Sequence, residues 1–398
     1  MKLLVFILIP FIFIVNSCSS KKGLTYNQRK NGHFQLYSMP DLDIPKSVPA
    51  NLKRIILVST NDLLGEIDKK NQTVTKDGKT QSIAVGGFKT LEKYYDILKS
   101  HYPEEVLIID SGNSLKSFNR NSYSRFLQIS NLFSKLDYTS LTIGAQDLLI
   151  GQSDKDQLYA LKKVIKTSKV PFIISNIINL GTGERVDWKN TYPYLIRTIN
   201  NVKVGIISAI SPSVSQKIPA MTLNGHYIQP VETALIKYSR ILKSRGAQLI
   251  IAKVHANQNC GVALAKKFNL PMDKVNFDPN NTEACNSKDE LALILEKLPK
   301  DTVHVVVSSS SGGKVTNFIN GVPIVQSFSL GNYFNVTEIF YDIAKGKAAV
   351  DKTVINQPIK LCHEFLKGTQ DCFLNDKSVE IEAKTKAMFL GKELDYRQ

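Results

Sequence analysis

The sequence predicts an α/β fold, in which buried strands alternate with helices and end in polar loops. Residues 55–58 are Ile-Ile-Leu-Val, and Ser-Thr-Asn-Asp follows them directly. Residues 106–113 repeat this design, because Val-Leu-Ile-Ile is followed by Asp-Ser-Gly-Asn. A continuous apolar run that ends in small polar residues is typical of a buried strand that reaches the edge of a sheet. In α/β proteins, functional side chains gather at that edge.

The first half of the chain alternates between strand patterns and helix patterns. The helix patterns place apolar residues three and four positions apart, which predicts one buried face on each helix. The predicted strands of this half are 54–59, 106–109, 138–144 and 172–176. The predicted helices are 88–98, 123–136 and 155–167.

The second half favours antiparallel pairing, beginning with strands at 194–199 and 202–210 that turn at Asn200 and Asn201. A helix at 232–243 leads to a strand at 249–254, which ends in His255. After an insertion at 256–288, the pattern predicts a helix at 288–298 and strands at 303–307, 322–328 and 336–341. We therefore expect one α/β domain over residues 51–345 with helices outside, followed by an appendage at 346–398 with a terminal helix at 380–391.

The N-terminus has the pattern of an export signal. Lys2 precedes an apolar run from Leu3 to Val15, which is too short for a good membrane span. Asn16-Ser17-Cys18 follows, and it looks like a bacterial lipobox in which Cys18 is lipidated. We expect a signal peptide at 1–17, a lipidated tether at 18–50, and anchoring in a bacterial envelope, facing the periplasm or the exterior. The alternative is a simple secretion signal with an incidental cysteine.

The remaining cysteines form an even set, as expected in an oxidising compartment. They occur as two closely spaced pairs, Cys260 with Cys285 and Cys362 with Cys372. We expect a disulfide within each pair, although four cysteines allow three connectivities. A zinc site is the rival interpretation, but the intervals lack the Cys-x-x-Cys spacing of zinc ribbons.

The formal net charge is +16, which would attract anionic lipids, nucleotides or acidic polymers. The lysines are spread through the sequence without a long basic run, which favours solubility and non-specific attraction. We expect no specific recognition of nucleic acid. The sequence does not predict an oligomeric state.

The order of strand-end motifs from about residue 52 to 345 resembles that of the 5'-nucleotidase-type metallophosphoesterases, within the calcineurin-like phosphoesterase superfamily. The matching motifs are residues 60–65, 112–113, 144–147, 255 and 308–312, with linking features at 86–88, 175–176 and 203–207. The resemblance implies an α/β/β/α sandwich, two sheets flanked by helices. It also implies an inherited dinuclear metal site that hydrolyses phosphate esters.

Only two metal-ligand positions of that family keep their residue type, Asp62 in the first motif and His255 at a strand end. The histidine of the first motif is replaced by Leu64, and the bridging aspartate is replaced by Asn113, a weak substitute. Further departures occur at Ala145, Gln146, Ser310 and Gly312.

Two ligands do not hold a catalytic dinuclear centre. We therefore expect no cofactor, although Asp62 and His255, with Asn113, could bind one divalent metal weakly. The alternative is a hydrogen-bonded polar pair at the edge of the sheet.

A polar loop after the strand at 303–307 resembles a phosphate-binding loop. Its candidate anion ligands are Ser309, Ser310, Ser311 and Lys314. Backbone N–H groups, hydroxyls and a lysine can together hold an anion. The loop lacks the first glycine of that motif, and Val315 replaces the Ser or Thr that would hold magnesium.

These observations predict a lipid-anchored envelope protein that has lost its dinuclear site and binds or scaffolds. Its expected partners are the membrane, through the N-terminal lipid, and an anionic small molecule or envelope polymer. One alternative is a surviving metal-dependent phosphatase or 5'-nucleotidase with a remodelled site. A further alternative is a structural lipoprotein held at the membrane or cell wall by its positive surface. For Asp110 and Asp147 we expect structural roles.

Overall fold

The computed structural model describes residues 44, 47–76, 79–116, 123–151, 153, 157–262, 265–266, 269, 284–310, 312–366 and 378–380. The strands are β1 (Leu52–Thr60), β2 (Lys70–Lys76), β3 (Lys79–Val85), β4 (Val106–Asp110), β5 (Phe172–Ile173), β6 (Ile177–Asn179), β7 (Thr191–Tyr192), β8 (Tyr194–Ile199), β9 (Val202–Ile210), β10 (His226–Ile228), β11 (Leu249–His255), β12 (Val305–Ser309), β13 (Val315–Ile319), β14 (Val322–Gln326), β15 (Tyr333–Asp342), β16 (Lys347–Ala348), β17 (Val354–Ile355), β18 (Ile359–Lys360), β19 (Glu364–Leu366) and β20 (Ser378–Glu380). The α-helices are α1 (Phe88–His101), α2 (Tyr123–Lys135), α3 (Gln157–Thr167), α4 (Val231–Ser244) and α5 (Glu290–Glu296).

The first large sheet is built on β15 and β1, which pair antiparallel so that Ser59 lies opposite Asn335. On its other edge β1 is parallel to β4, which places Thr60 beside Asp110. The short strands β16, β17 and β18 pair with β15. Both motifs that opened the sequence therefore end side by side at one edge of this sheet.

The second large sheet has the order β13-β14-β12-β11-β9-β8. Its four inner strands are parallel, and β8 and β13 add antiparallel edges. His255 at the end of β11 lies in register with Ile210 of β9 and Ser309 of β12. The carboxyl ends of three strands therefore meet at His255.

The two sheets pack face to face through one apolar layer. It combines Ile55, Leu57 and Ile109 of the first sheet with Val204, Ile251, Val307 and other residues of the second. Burying such a side chain contributes about 1.5–3 kcal/mol. Alternate residues of the same strands face outward against the helices, for example Ile207, Ala252 and Val306 of the second sheet. The predicted α/β/β/α sandwich is confirmed.

Helix α1 shows how the outer layer is positioned. Its apolar residues fall on one buried face, where the rings of Tyr94 and Tyr95 pack edge-on against Phe334 of β15, with centroids 5.3 and 5.8 Å apart. The helix begins after Gly87, whose φ is 91°. A side chain at Gly87 would place Cβ 2.9 Å from the backbone nitrogen of Lys69, so glycine is needed there.

The predicted strand at 138–144 is wrong. Only isolated bridges occur there, at Ser140 with Ile109 and at Leu141 with Phe172. The chain crosses from β4 toward β5 at this point, so each residue pairs with a different neighbour and no ladder forms. The strand predicted at 172–176 is also shorter, because β5 ends at Ile173.

Several strands were not predicted. The hairpin of β2 and β3 and the edge strand β13 are rich in polar residues and lack a clear apolar run. Strands β16 to β18 continue the first sheet past residue 345, where the sequence predicts that the domain ends. Except for Glu380 in β20, the helix predicted at 380–391 lies outside the described residues. No helix in the described part of the chain is long and apolar enough to cross a membrane.

Candidate functional site

The candidate site lies where the ends of β1, β4, β11 and β12 meet. The loops after β1 and β4 are hydrogen-bonded to each other, because the backbone nitrogen of Asp62 donates to the oxygen of Gly112 at 2.9 Å and that of Leu64 donates to the oxygen of Asn113 at 2.8 Å. All three non-glycine residues have positive φ, 49° at Asp62, 52° at Leu64 and 58° at Asn113. Each such conformation costs about 1–3 kcal/mol and tends to occur at functional sites. Asp and Asn tolerate it better than Leu.

The carboxylate of Asp62 is buried and accepts hydrogen bonds from three parts of the chain. Nδ2 of Asn61 donates to Oδ2 at 2.9 Å, and Nδ2 of Asn113 donates to Oδ1 at 2.8 Å. The backbone nitrogen of Ser310, with φ 110°, lies 3.2 and 3.0 Å from the two oxygens. Burial raises the pKa of Asp62, and these donors oppose the shift. Both carboxylate oxygens are thus committed to N–H groups.

The imidazole of His255 is also held at both nitrogens. Nε2 accepts from the backbone nitrogen of Ala145 at 3.1 Å, so the proton of the neutral ring is on Nδ1. Nδ1 donates to Oγ of Ser309 at 2.7 Å, and that hydroxyl donates to the oxygen of Ser111 at 2.7 Å. Burial, together with the charge of Lys217, lowers the pKa of His255 to about 3. The ring is neutral at ordinary pH.

Asp147 connects the loops that carry these groups. Its carboxylate accepts from the backbone nitrogens of Asn113 at 2.8 Å, Leu115 at 2.8 Å and Gly144 at 2.9 Å. Burial raises the pKa of Asp147 to about 6, although the backbone donors oppose the shift. The backbone nitrogen of Gln146 donates to Oδ1 of Asn113 at 2.8 Å. The site is therefore one continuous hydrogen-bond network.

A buried lysine and a buried aspartate lie close to this network. Asp110 accepts from Oγ1 of Thr60 at 2.8 Å and from Oγ of Ser114 at 2.9 Å. Lys253, two residues before His255, donates to Oγ of Ser140 at 3.1 Å. Burial raises the pKa of Asp110 and lowers that of Lys253, and each charge partly offsets the shift of the other.

The residues present do not fit a dinuclear metal centre. A metal needs free lone pairs, but those of Asp62 and Nε2 of His255 point at N–H groups of the chain. Asn113 presents its amide nitrogen to Asp62, and an amide N–H cannot bind a cation. Leu64 is half-buried beside them. Among the described residues, no cluster of three His, Cys, Asp or Glu side chains could hold a metal ion.

Solved structures share this architecture. The calcineurin-like phosphoesterase YfkN from Bacillus subtilis matches 78% of this chain and 91% of its own, with a TM-score of 0.54 and 17% sequence identity. A 5'-nucleotidase precursor from Thermus thermophilus matches 77% of this chain and 55% of its own, with a TM-score of 0.54 and 16% identity. The chain has a metallophosphoesterase-type fold. At these identities the likeness describes the fold alone.

The NAD nucleotidase NadN of Haemophilus influenzae also has a metallophosphoesterase-type fold like this one, with a TM-score of 0.51 and 14% identity. The match covers 78% of this chain and 50% of NadN, so the chain spans about half of that protein. By sequence, the cell wall protein Lmo0130 of Listeria monocytogenes is 25% identical over 182 residues. The match covers 42% of this chain and 20% of the Listeria protein. No family model matches the sequence.

The predicted anion loop is already engaged within the metallophosphoesterase-type fold. The backbone nitrogen of Ser310 faces the Asp62 carboxylate, and the hydroxyl of Ser309 is shared by His255 and a backbone oxygen. Lys314 is buried and donates to Oε1 of Gln357 at 3.1 Å. Ser311 lies outside the described residues. The Ser310 nitrogen and the Ser309 hydroxyl are therefore hydrogen-bonded within the protein, and the anion site stays a prediction.

The disulfide between Cys260 and Cys285 is confirmed, with a sequence separation of 25. Cys362 is buried and disulfide-bonded. Its predicted partner Cys372 and the predicted lipidation site Cys18 both lie outside the described residues.

A surface cavity of about 490 Å3 lies away from the candidate site. Its lining includes Val303 and Val322, which lie at the amino ends of β12 and β14. The candidate site is at the carboxyl ends of these parallel strands. The cavity is therefore at the opposite edge of the second sheet, and we assign it no role.

Proposed function

We propose that the protein is a lipid-anchored envelope protein whose metallophosphoesterase-type fold has lost its dinuclear metal site and acts in binding or scaffolding. The observation that carries the proposal is the pairing of Asp62 with Asn113. Where the resembling enzymes have a metal-bridging carboxylate, this chain places an amide that donates to the remaining carboxylate at 2.8 Å. The two side chains satisfy each other without a cation.

The free energy of the network supports the loss of metal binding. A hydrogen bond to a charged group contributes about 1.5–3 kcal/mol, and the donors around Asp62 come from Asn61, Asn113 and Ser310. A metal at Asp62 would have to displace these donors, and it would gain only His255 as a further ligand. His255 would also have to release the Ala145 nitrogen. A preformed hydrogen-bond network therefore competes with metal binding.

The envelope location is supported by the sequence. The apolar run from Leu3 to Val15 and the lipobox-like residues before Cys18 are typical of an exported lipoprotein. The disulfide between Cys260 and Cys285 is typical of an oxidising compartment. The Listeria relative is named a cell wall protein. Mass spectrometry of the membrane-extracted N-terminus should find a diacylated Cys18 and an unlipidated product in Cys18→Ser.

Metal analysis and turnover test the loss of the centre. The purified full-length protein is equilibrated with manganese, freed of unbound metal and assayed for bound metal and for phosphate release from nucleotides. We expect far less than one metal per chain and no turnover above that of Asp62→Ala. Stoichiometric metal together with turnover that Asp62→Ala abolishes would reject the proposal.

The second candidate is a surviving metal-dependent phosphoric ester hydrolase, a phosphatase or 5'-nucleotidase. It is favoured by Asp62 and His255, which match the family's ligand types, and by the positive φ at Asp62 and Asn113. Thermal unfolding separates the two candidates. Metal bound at one hundred times its Kd would stabilise the fold by about 2.7 kcal/mol, whereas the non-catalytic protein should unfold at the same temperature with and without manganese.

A further inference from the structure

One surface outside the strand-end site concentrates exposed apolar side chains. Five of the eight large apolar residues that are exposed in the described part of the chain come from residues 157–228. Four of these five, with the half-buried Trp188, form what we call the Trp188 face: Tyr159, Leu180, Trp188, Tyr192 and Met221. Single exposed apolar residues are ordinary, but a cluster of this kind marks an interaction surface.

Two side chains contact the Trp188 ring, and the exposed residues lie on the segments next to them. The Nζ atom of Lys162 lies 4.9 Å from the Trp188 ring centroid, and the ring of His226 packs edge-on at 5.9 Å. Tyr159 is one helical turn before Lys162 on α3. The 3-10 helix Ala220–Leu223 packs beside α3 and brings Met221 to the same region.

The other members are placed by short backbone links. The backbone nitrogen of Thr191, next to Tyr192, donates to the oxygen of Trp188 at 2.9 Å. The backbone nitrogen of Leu180 donates to the oxygen of Gly225 at 2.9 Å, beside His226. Tyr227 follows His226 in β10, but side chains alternate along a strand, so Tyr227 lies on the other side of β10 and is not part of this face.

The same segment is strongly basic. Close to Trp188 in the chain, residues 162–169 contain Lys162, Lys163, Lys166 and Lys169 and no acidic residue, and Lys189 follows Trp188 directly. Two lysines of α3 lie over aromatic rings instead of carboxylates, Lys162 over Trp188 and Lys163 over Tyr123 at 4.3 Å. The surface therefore carries positive charge beside exposed Tyr, Met and Leu side chains and the half-buried Trp188.

We infer that the Trp188 face docks on the surface of an anionic lipid bilayer. Amphipathic aromatic side chains favour the boundary between headgroups and acyl chains, and lysines beside them meet anionic headgroups. The inference rests on the proposed anchor only for the nearness of a membrane. Between Cys18 and Pro49 there are about thirty residues, and a chain of that length spans at most about 100 Å.

Trp188 reports on this docking directly, because it is the only tryptophan in the chain. The full-length protein is mixed with vesicles of phosphatidylcholine alone, or of phosphatidylcholine with phosphatidylglycerol, each with brominated acyl chains. Only the anionic vesicles should shift the Trp188 emission to shorter wavelength and quench it, and high salt should reverse both effects. Binding to neutral vesicles without quenching of Trp188 would show that the N-terminal lipid alone holds the protein on the vesicle. The assay therefore distinguishes loss of lipid anchoring from loss of docking by the Trp188 face.

Charge reversal tests whether this face is responsible. Lys166 and Lys169 are exposed and do not contact Trp188, so Lys166→Glu/Lys169→Glu should reduce the docked population about tenfold or more. Lys300→Glu/Lys347→Glu makes the same charge change at exposed positions outside this segment and should have little effect. Circular dichroism confirms that both variants are folded.

Three results would overturn the inference. The first is equal Trp188 emission in neutral and anionic vesicles. The second is an equal loss of vesicle docking in the two charge-reversed variants, which would show that docking depends only on the net charge of the protein. The third is a salt-sensitive Trp188 shift with a soluble anionic polysaccharide but not with anionic vesicles, which would assign the face to a polymer.

Discussion

Nδ2 of Asn113 donates a hydrogen bond to Oδ1 of Asp62 at 2.8 Å, inside a network that leaves neither carboxylate oxygen of Asp62 without an N–H donor. An amide in this position is the right partner for a buried carboxylate and the wrong partner for a cation. The relationship explains how hydrogen bonds of the protein itself stabilise the buried carboxylate of Asp62.

Asn113→Asp should destabilise the protein. It replaces the donor to Asp62 by a second buried carboxylate, which loses a charged hydrogen bond and adds repulsion between like charges. We expect the free energy of unfolding at pH 7 to fall by about 2–3 kcal/mol. Two adjacent carboxylates share a proton in the folded state, so the folded protein binds more protons than the unfolded one. The loss should therefore shrink as the pH falls below about 5.

The control for this variant is Asn113→Gly, which suits the positive φ of 58° and removes the amide without adding charge. Urea unfolding at several pH values should show a smaller loss for the glycine variant, with no added dependence on pH. An Asn113→Asp protein as stable as the wild type at pH 7 would contradict the role given to the amide.

Gly144→Ala should also disrupt the network. A Cβ atom at Gly144 would overlap Oδ1 of Asn113 and lie 2.8 Å from the backbone nitrogen of Asn113. Overpacking of this kind costs about 1–3 kcal/mol. Gly313→Ala is the matched control, because its Cβ meets nothing within 4 Å and its φ is not positive. Equal unfolding midpoints for the two variants would show that the contact at Gly144 is unimportant.

The sequence places Asp62, Asn113 and His255 after apolar strand runs, and the family resemblance implies one common site for them. The strand pattern alone does not bring them together, because β1 and β4 belong to one sheet and β11 to the other. The sequence also does not predict which atoms pair there. The hydrogen bond from Ala145 to His255 and the three N–H groups around Asp147 depend on loop geometry. Loops lack the regular spacing of apolar residues from which helices and strands are predicted. Polar edge strands such as β2 and β13 were missed for a similar reason, since pairing along the backbone forms them without an apolar run.

The tautomer of His255 is open to direct measurement. Because the Ala145 nitrogen donates to Nε2, we expect the proton on Nδ1 and a neutral ring down to about pH 4, given a pKa of about 3. Nitrogen-15 shifts of the imidazole should show a protonated Nδ1 and an unprotonated Nε2 at pH 7. A ring protonated at pH 6 would contradict the buried network.

The ionisation of His255 should make the free energy of unfolding depend on pH. The folded pKa of about 3 lies below the unfolded value of about 6.5, so the unfolded state binds the extra proton. The contribution of His255 is therefore fully present above about pH 6.5 and is lost as the pH falls toward 3, by about 1.4 kcal/mol for each pH unit. The stability difference between the wild type and His255→Gln should shrink over this range, because other titrating groups are common to both. A difference that does not change with pH would contradict this.

The disulfide between Cys260 and Cys285 should stabilise the segment that joins β11 to α5. It closes a loop of about 25 residues, for which constraint of the unfolded chain contributes about 3 kcal/mol. The bond lies beside Gln258, which donates to the oxygen of Asn286 at 3.1 Å and accepts from the nitrogen of Ala292 in α5 at 3.1 Å. Removing the bond should therefore loosen α5 before the rest of the fold.

Cys260→Ser/Cys285→Ser tests this expectation by urea unfolding and by hydrogen exchange. We expect a loss of about 3 kcal/mol in the free energy of unfolding and faster exchange in α5, with exchange in β11 and β12 changed only as far as global stability falls. Strands β11 and β12 of the second sheet are buried along their whole length, so their amides open only in global unfolding. Faster exchange of the same size in α5 and in β11 would show that the bond stabilises the whole domain and not this segment.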